Sequence, residues 1–112
     1  MMSLESGFDA PRAGVVFFER RELERLTRLY GRKVAAGEWR DYAIDGRRDC
    51  AAFWVFRRAS EQPLYCIEKR PALARRQGAW AIIGRGGLIV RRSRDLDDLL
   101  KFFDRDRLKV VR

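Results

Sequence analysis

The apolar pattern of this chain changes period at Gly37, and that change limits the fold more than any other feature. From Arg20 to about Ala36, Leu23, Leu26, Leu29, Tyr30 and Val34 recur at intervals of three and four, the spacing that lines one side of an α-helix. Arg21, Glu24, Arg25, Arg28 and Arg32 fall on the solvent side, and Gly37 is a helix stop. Beyond Gly37 the period becomes two, and the β-favouring residues Trp39, Tyr42, Ile44, Phe53, Trp54, Val55, Phe56, Tyr65 and Ile67 accumulate. Strands are expected at Arg40 to Ile44, Ala51 to Arg57, Leu64 to Lys69, Ala79 to Ile83 and Leu88 to Arg92. The separators are Asp45-Gly46, Ala59 to Gln62 with Pro63, Arg70 to Gly78, and Gly84-Arg85-Gly86-Gly87. All are too short for a helical crossover, so neighbouring strands must run antiparallel. The expected fold is therefore α+β: a five-stranded antiparallel meander preceded by an amphipathic helix.

A second helix follows the meander. Ser93 is its expected N-cap, Asp95, Asp97 and Asp98 suit the positive end of its dipole, and Leu96, Leu99, Leu100 and Phe103 form its apolar stripe. Val15 to Phe18 reads as a short strand or an extended segment against the core, and Leu108 to Val111 as an edge strand or a tail. A chain of 112 residues fits one domain with one core. Residues 1–14 read as a flexible lead-in and 15–112 as the domain. Nothing at the N-terminus has the form of an export signal and no apolar run nears the ~20 residues of a membrane span, so a cytoplasmic protein with no membrane contact is expected.

Turn length predicts register. A four-residue loop over Ala59 to Gln62 would oppose Arg58 to Pro63, Phe56 to Tyr65, Val55 to Cys66 and Trp54 to Ile67. One face would then carry Trp54, Phe56, Tyr65 and Ile67, the other Phe53, Val55, Leu64 and Cys66. A hairpin apolar on both faces belongs in the middle of a sheet. Closure at Gly84 to Gly87 would oppose Ile83 to Leu88 and Trp80 to Arg91, with Arg91 covering the indole.

Charge follows the same geometry. Lys69 to Arg94 holds eight basic residues and no acidic one, nearly all of the net +9. In the expected meander, Lys69, Arg70, Arg75, Arg76, Arg91, Arg92 and Arg94 meet at one end of the sheet beside Trp80. Arg85 lies at the other end, and the Arg47-Arg48 turn opens at the basic end. A clustered positive surface with a flat side chain suits phosphates and bases. The expected function is a non-catalytic module whose basic sheet edge contacts RNA, DNA or a ribonucleoprotein surface. The alternative is protein interaction, with an acidic partner or as a homodimer through the aromatic sheet face. A solvated edge that deters strand-to-strand aggregation would place arginines in the same positions.

Other chemistries are poorly served. The chain has no histidine, one threonine and four scattered serines, so no nucleophile–base pair is readable and an enzyme is not expected. Cys50 and Cys66, without histidine, cannot complete a zinc site, and they lie too far apart along the ladder for a disulfide, so no metal or cofactor is expected. The glycine-rich turn leads into a strand and lacks the Lys-Ser/Thr of a phosphate loop.

The strings Gly37-Glu38-Trp39-Arg40-Asp41-Tyr42-Ala43-Ile44-Asp45, Phe56-Arg57-Arg58-Ala59-Ser60 and Ile67-Glu68-Lys69-Arg70-Pro71-Ala72-Leu73-Ala74-Arg75-Arg76-Gln77-Gly78 resemble a small proteobacterial family known as a domain of unknown function. The likeness runs from about Val15 to Phe103. It implies a bacterial, cytoplasmic, single-domain protein and carries over no ligand or catalytic residue.

Overall fold

The computed structural model describes residues 14–58 and 62–104. The expected lead-in up to Ala13, the tip of the loop at residues 59–61 and the Leu108 to Val111 segment lie outside the described residues.

Helix α1 spans Arg20–Ala35. The Glu19 amide donates to Glu22 Oε1 at 2.8 Å, which satisfies one of the amides left open at a helix start. At the other end Gly37 has φ 79° and the Glu38 amide reaches back to the Lys33 carbonyl at 2.9 Å, the six-to-one closure that glycine permits. Leu26 and Leu29 are buried as the periodicity requires, but Val34 is exposed and Lys33 takes the inner position. That exchange has a physical reason. The Lys33 ammonium donates to Glu38 Oε1 at 3.2 Å and to the Phe103 carbonyl at 3.1 Å, so its charge enters the interior with partners.

Five strands follow: β1 Asp41–Gly46, β2 Ala51–Phe56, β3 Tyr65–Lys69, β4 Trp80–Ile83 and β5 Ile89–Ser93. They pair antiparallel in chain order, as the short connections dictate. The first turn sits later than Asp45-Gly46 suggests, because both residues still pair with β2 and the bend falls at residues 47–50. The Val15 to Phe18 segment is extended rather than a strand; the Val16 amide donates to the Arg47 carbonyl, and Phe18 stacks on Trp80 with ring centres 6.1 Å apart.

The β2–β3 register differs by one residue from the four-residue-loop expectation. Val55 opposes Tyr65, Trp54 opposes Cys66 and Phe53 opposes Ile67. Pro63 has no amide to pair with Arg58; β2 stops at Phe56, and pairing resumes with the Leu64 amide donating to Val55. A slip of one exchanges faces. Phe53, Val55, Tyr65 and Ile67 therefore face the helices, while Trp54, Phe56 and Cys66 face the other way. The β4–β5 register is also displaced. Ile83 opposes Ile89, Val90 is the extra residue of a bulge, and Trp80 consequently opposes Ser93 instead of Arg91. The shift of two keeps Arg91 and Arg92 on their expected faces, whereas Ile89, displaced by one, passes from the face of Ile82 to that of Ile83.

Ser93 is thus the end of β5, and Asp95 caps α2, Leu96–Leu100, by accepting from the Asp98 amide at 2.9 Å. Leu96, Leu99, Leu100 and Phe103 are all buried. Helices α1 and α2 contribute to one core with Phe53, Val55, Ile67, Trp80 and Ile82 from a single face of the sheet.

Candidate nucleic-acid interface

The pairing aligns Gly46, Ala51, Lys69, Trp80 and Ser93 in one row at one end of the sheet. The 47–50 turn, the 70–78 loop and the exit of β5 all leave from that row, so the acid-free window and the Arg47-Arg48 turn do converge. Convergence does not make the charges equivalent. Trp80 is 6% exposed, stacked on Phe18, and sits in the core. The cation above it is Lys69, with Nζ 5.9 Å from the indole, because the register carries Arg91 two pairs away. Lys69 also donates to Glu22 Oε1 at 2.8 Å and to the Phe17 carbonyl at 3.1 Å, which ties the chain entering α1 to β3. Arg91 turns to the helix side and reaches Asp98 at 3.4 Å. The Ser93 hydroxyl, and then Arg91, hold the Asp98 carboxyl below the usual carboxylate range.

The remaining arginines face outward. Arg70 is paired with Glu68 at 2.8 Å, and Arg47 with Asp45 at 2.7 Å. Arg92 donates to the Gly78 carbonyl at 3.1 Å, and Arg94 to the carbonyls of Arg75 and Arg76 at 3.5 and 3.3 Å. Carbonyls orient a guanidinium without cancelling its charge. Arg92 and Arg94 therefore brace the 70–78 loop and keep their positive fields. Gly78 makes the brace compact: with φ 101°, its Cα lies so near β5 that an added Cβ would stand 2.6 Å from the Ser93 carbonyl group. The side chains of Arg48, Arg75 and Arg76 are exposed and have no acidic partner among the described residues. The outward cationic set is Arg48, Arg75, Arg76, Arg92 and Arg94, with Arg70 beside it.

The sheet face away from the helices adds a feature that charge counting missed. Cys50, Ala52, Cys66 and Ala81 are buried on it, and the larger Trp54, Ile83 and Ile89 stand beside them. The result is a trough of about 470 Å³. Its floor and apolar side are Cys66, Ile83, Ile89 and a half-buried Trp54; Leu73 and Gly87 bound it, and Arg70, Glu68 and Arg92 line its basic end. Arg70 and Arg92 belong to both trough and rim. The sequence signal was size rather than polarity. Cys50 and Ala52 are small on the trough face, and Cys66 and Ala81 are smaller than the core-facing Ile67 and Ile82 that follow them. Burial pushes the Cys66 thiol up to about 12, with Glu68 adding to the effect, so it stays protonated at neutral pH and serves as apolar floor, not as a nucleophile. Cys50 is shifted up in the same way, and both cysteines are free.

Among the described residues, no group of three His, Cys, Asp or Glu side chains is placed to hold a metal, and no helix is long and apolar enough to cross a membrane. The model of a family described as a protein of unknown function matches residues 16–100. No curated protein and no solved structure matches the chain.

Proposed function

The chain belongs to the DUF2794 family, and since that family has no assigned function, we propose from the site itself that it is a non-catalytic binding module for nucleic acid or a ribonucleoprotein surface. The observation that carries this reading is the set of five outward arginines at one sheet end, none neutralised by a carboxylate among the described residues. Arginine stays charged at any physiological pH and offers planar donors matched to phosphate oxygens. Arg75 and Arg76 stand on a loop braced to β5, so their position costs little ordering on binding. Two free, buried thiols support a reducing, cytoplasmic setting.

The test is the double variant Arg75→Ala with Arg76→Ala. Its affinity for a generic oligonucleotide, read by fluorescence anisotropy at low salt, falls, and its salt slope flattens by about 1.4 log-log units if both residues neutralise phosphates of a single strand. Unchanged affinity at low salt removes the reading.

The β5 edge favours a second reading. Leu88, Ile89 and Val90, at and just before the start of β5, are 71, 53 and 45% exposed; among the described residues β5 has no outer neighbour in the sheet, and Arg92 and Arg94 follow. An extended acidic segment of a partner protein could add there as a sixth strand. That partner would protect the β5 amides from hydrogen exchange, whereas an oligonucleotide on the rim would leave the Leu88 to Val90 amides unprotected.

A further inference from the structure

We infer that the trough on the sheet face away from α1 and α2 receives an unpaired base, so that the protein selects single-stranded over duplex nucleic acid. This rests on the reading of the rim as a phosphate contact and names the class of strand that the rim would hold.

Three observations lead to it. First, the trough is continuous with the rim. The row Ala52, Glu68, Ala81 and Arg92 lies on the same face as the row Trp54, Cys66, Ile83 and Ile89, two residues along the strands, which is roughly 7 Å. A phosphate on Arg92 or Arg70 therefore has its own base within reach of the apolar rows. Second, the volume of about 470 Å³ lies within the ~300–1,000 Å³ range of small-ligand sites. Third, the chemistry of the walls fits a base. Trp54 gives a flat aromatic surface, Ile83 and Ile89 are aliphatic, and the one carboxylate, Glu68, is held by Arg70 at 2.8 Å. A base inside a duplex cannot leave its partner to enter the trough without the cost of unpairing, while a base in a single strand can.

The indoles make this directly measurable. Trp39 and Trp80 are 3 and 6% exposed and locked in the core, so the half-buried Trp54 is the indole that a strand can reach. The probes are a single-stranded oligonucleotide and a blunt duplex of equal length, with ribose and deoxyribose versions of the single strand. Expected results are quenching of tryptophan emission by either single strand but not by the duplex, and a single-strand affinity lowered about five- to a hundredfold by Trp54→Ala. Duplex affinity stays unchanged in that variant, and Trp54→Phe, which keeps an aromatic ring, retains most of the single-strand affinity. Equal binding of single strand and duplex with silent emission overturns the inference and leaves the rim reading standing. Failure of both probes to bind at low salt overturns the rim reading and this inference with it.

Discussion

Lys69 separates a structural cation from a binding one, and Lys69→Met puts the distinction to the test. Its ammonium bridges Glu22 at 2.8 Å and the Phe17 carbonyl at 3.1 Å, with side chains only 14 and 18% exposed for the ion pair. A hydrogen bond to a charged group is worth about 1.5–3 kcal/mol, and breaking one side of a fully buried pair costs about 3–5 kcal/mol. Partial exposure pulls the estimate down, and methionine keeps most of the aliphatic stem against Trp80, so the net loss is about 2–3 kcal/mol. For a domain of this size that lowers Tm by roughly 10–20 °C. Thermal unfolding by circular dichroism reads the stability, and anisotropy well below the transition reads oligonucleotide affinity. Affinity should stay within about twofold of wild type, in contrast with the loss from Arg75→Ala with Arg76→Ala. A Glu22→Gln partner completes a double-mutant cycle, with about 1–2 kcal/mol of coupling expected. If Tm moves by less than about 2 °C while affinity falls, Lys69 is a ligand contact and its assignment to the core is wrong.

The Cys66 thiol makes stability depend on pH in a window set by its shift. The unfolded thiol, near 9, ionises before the folded one at about 12, so the folded protein loses stability as pH rises from 9 towards 12 and is indifferent below 9. The slope contributed is at most about 1.4 kcal/mol per pH unit. In Cys66→Ala that contribution vanishes, so the urea midpoints of variant and wild type should draw together above pH 9; a constant offset would contradict the buried-thiol account. Gly78→Ala should destabilise by several kcal/mol, since a positive φ costs about 1–3 kcal/mol before the contact at 2.6 Å with the Ser93 carbonyl group is counted. Gly37→Ala, also at positive φ but with open space around it, should cost only about 1 kcal/mol, and equal losses in chemical denaturation would show that the 70–78 loop does not pack on β5.

The strands were legible because period and turn residues are local signals, and each begins or ends within a residue or two of its expected place. The convergence of the basic window was legible for a topological reason. The end of β3, the start of β4 and the end of β5 share one end of any meander, whatever the register. The faces were less legible, because they depend on loop geometry one residue at a time. Pro63 and the longer 57–64 connection moved β2 against β3 by one, which put Tyr65 and Ile67 on the face of Phe53 and Val55 and left Trp54 and Phe56 with Cys66. The bulge at Val90 moved the end of β5 by two, which spared the faces of Arg91 and Arg92 but exchanged Arg91 for Lys69 above Trp80, and it moved Ile89 by one, onto the face of Ile83. Lys33 shows the same limit in the helix. Periodicity marks Val34 as the inner residue, and partners that it cannot see, Glu38 beyond the helix and the distant Phe103 carbonyl, explain why a lysine lies there instead. The trough was missed because small residues buried on the face away from the helices carry no polarity signal.

The most direct test of phosphate binding is the salt dependence of single-strand affinity for the wild-type protein. Five outward arginines set the ceiling, at about 0.7 log-log units of slope per phosphate neutralised. The account predicts a log K against log salt slope between about −2 and −3.5, unchanged from pH 6 to 9 because arginine does not titrate there. A slope near zero, or no binding at low salt, would contradict it.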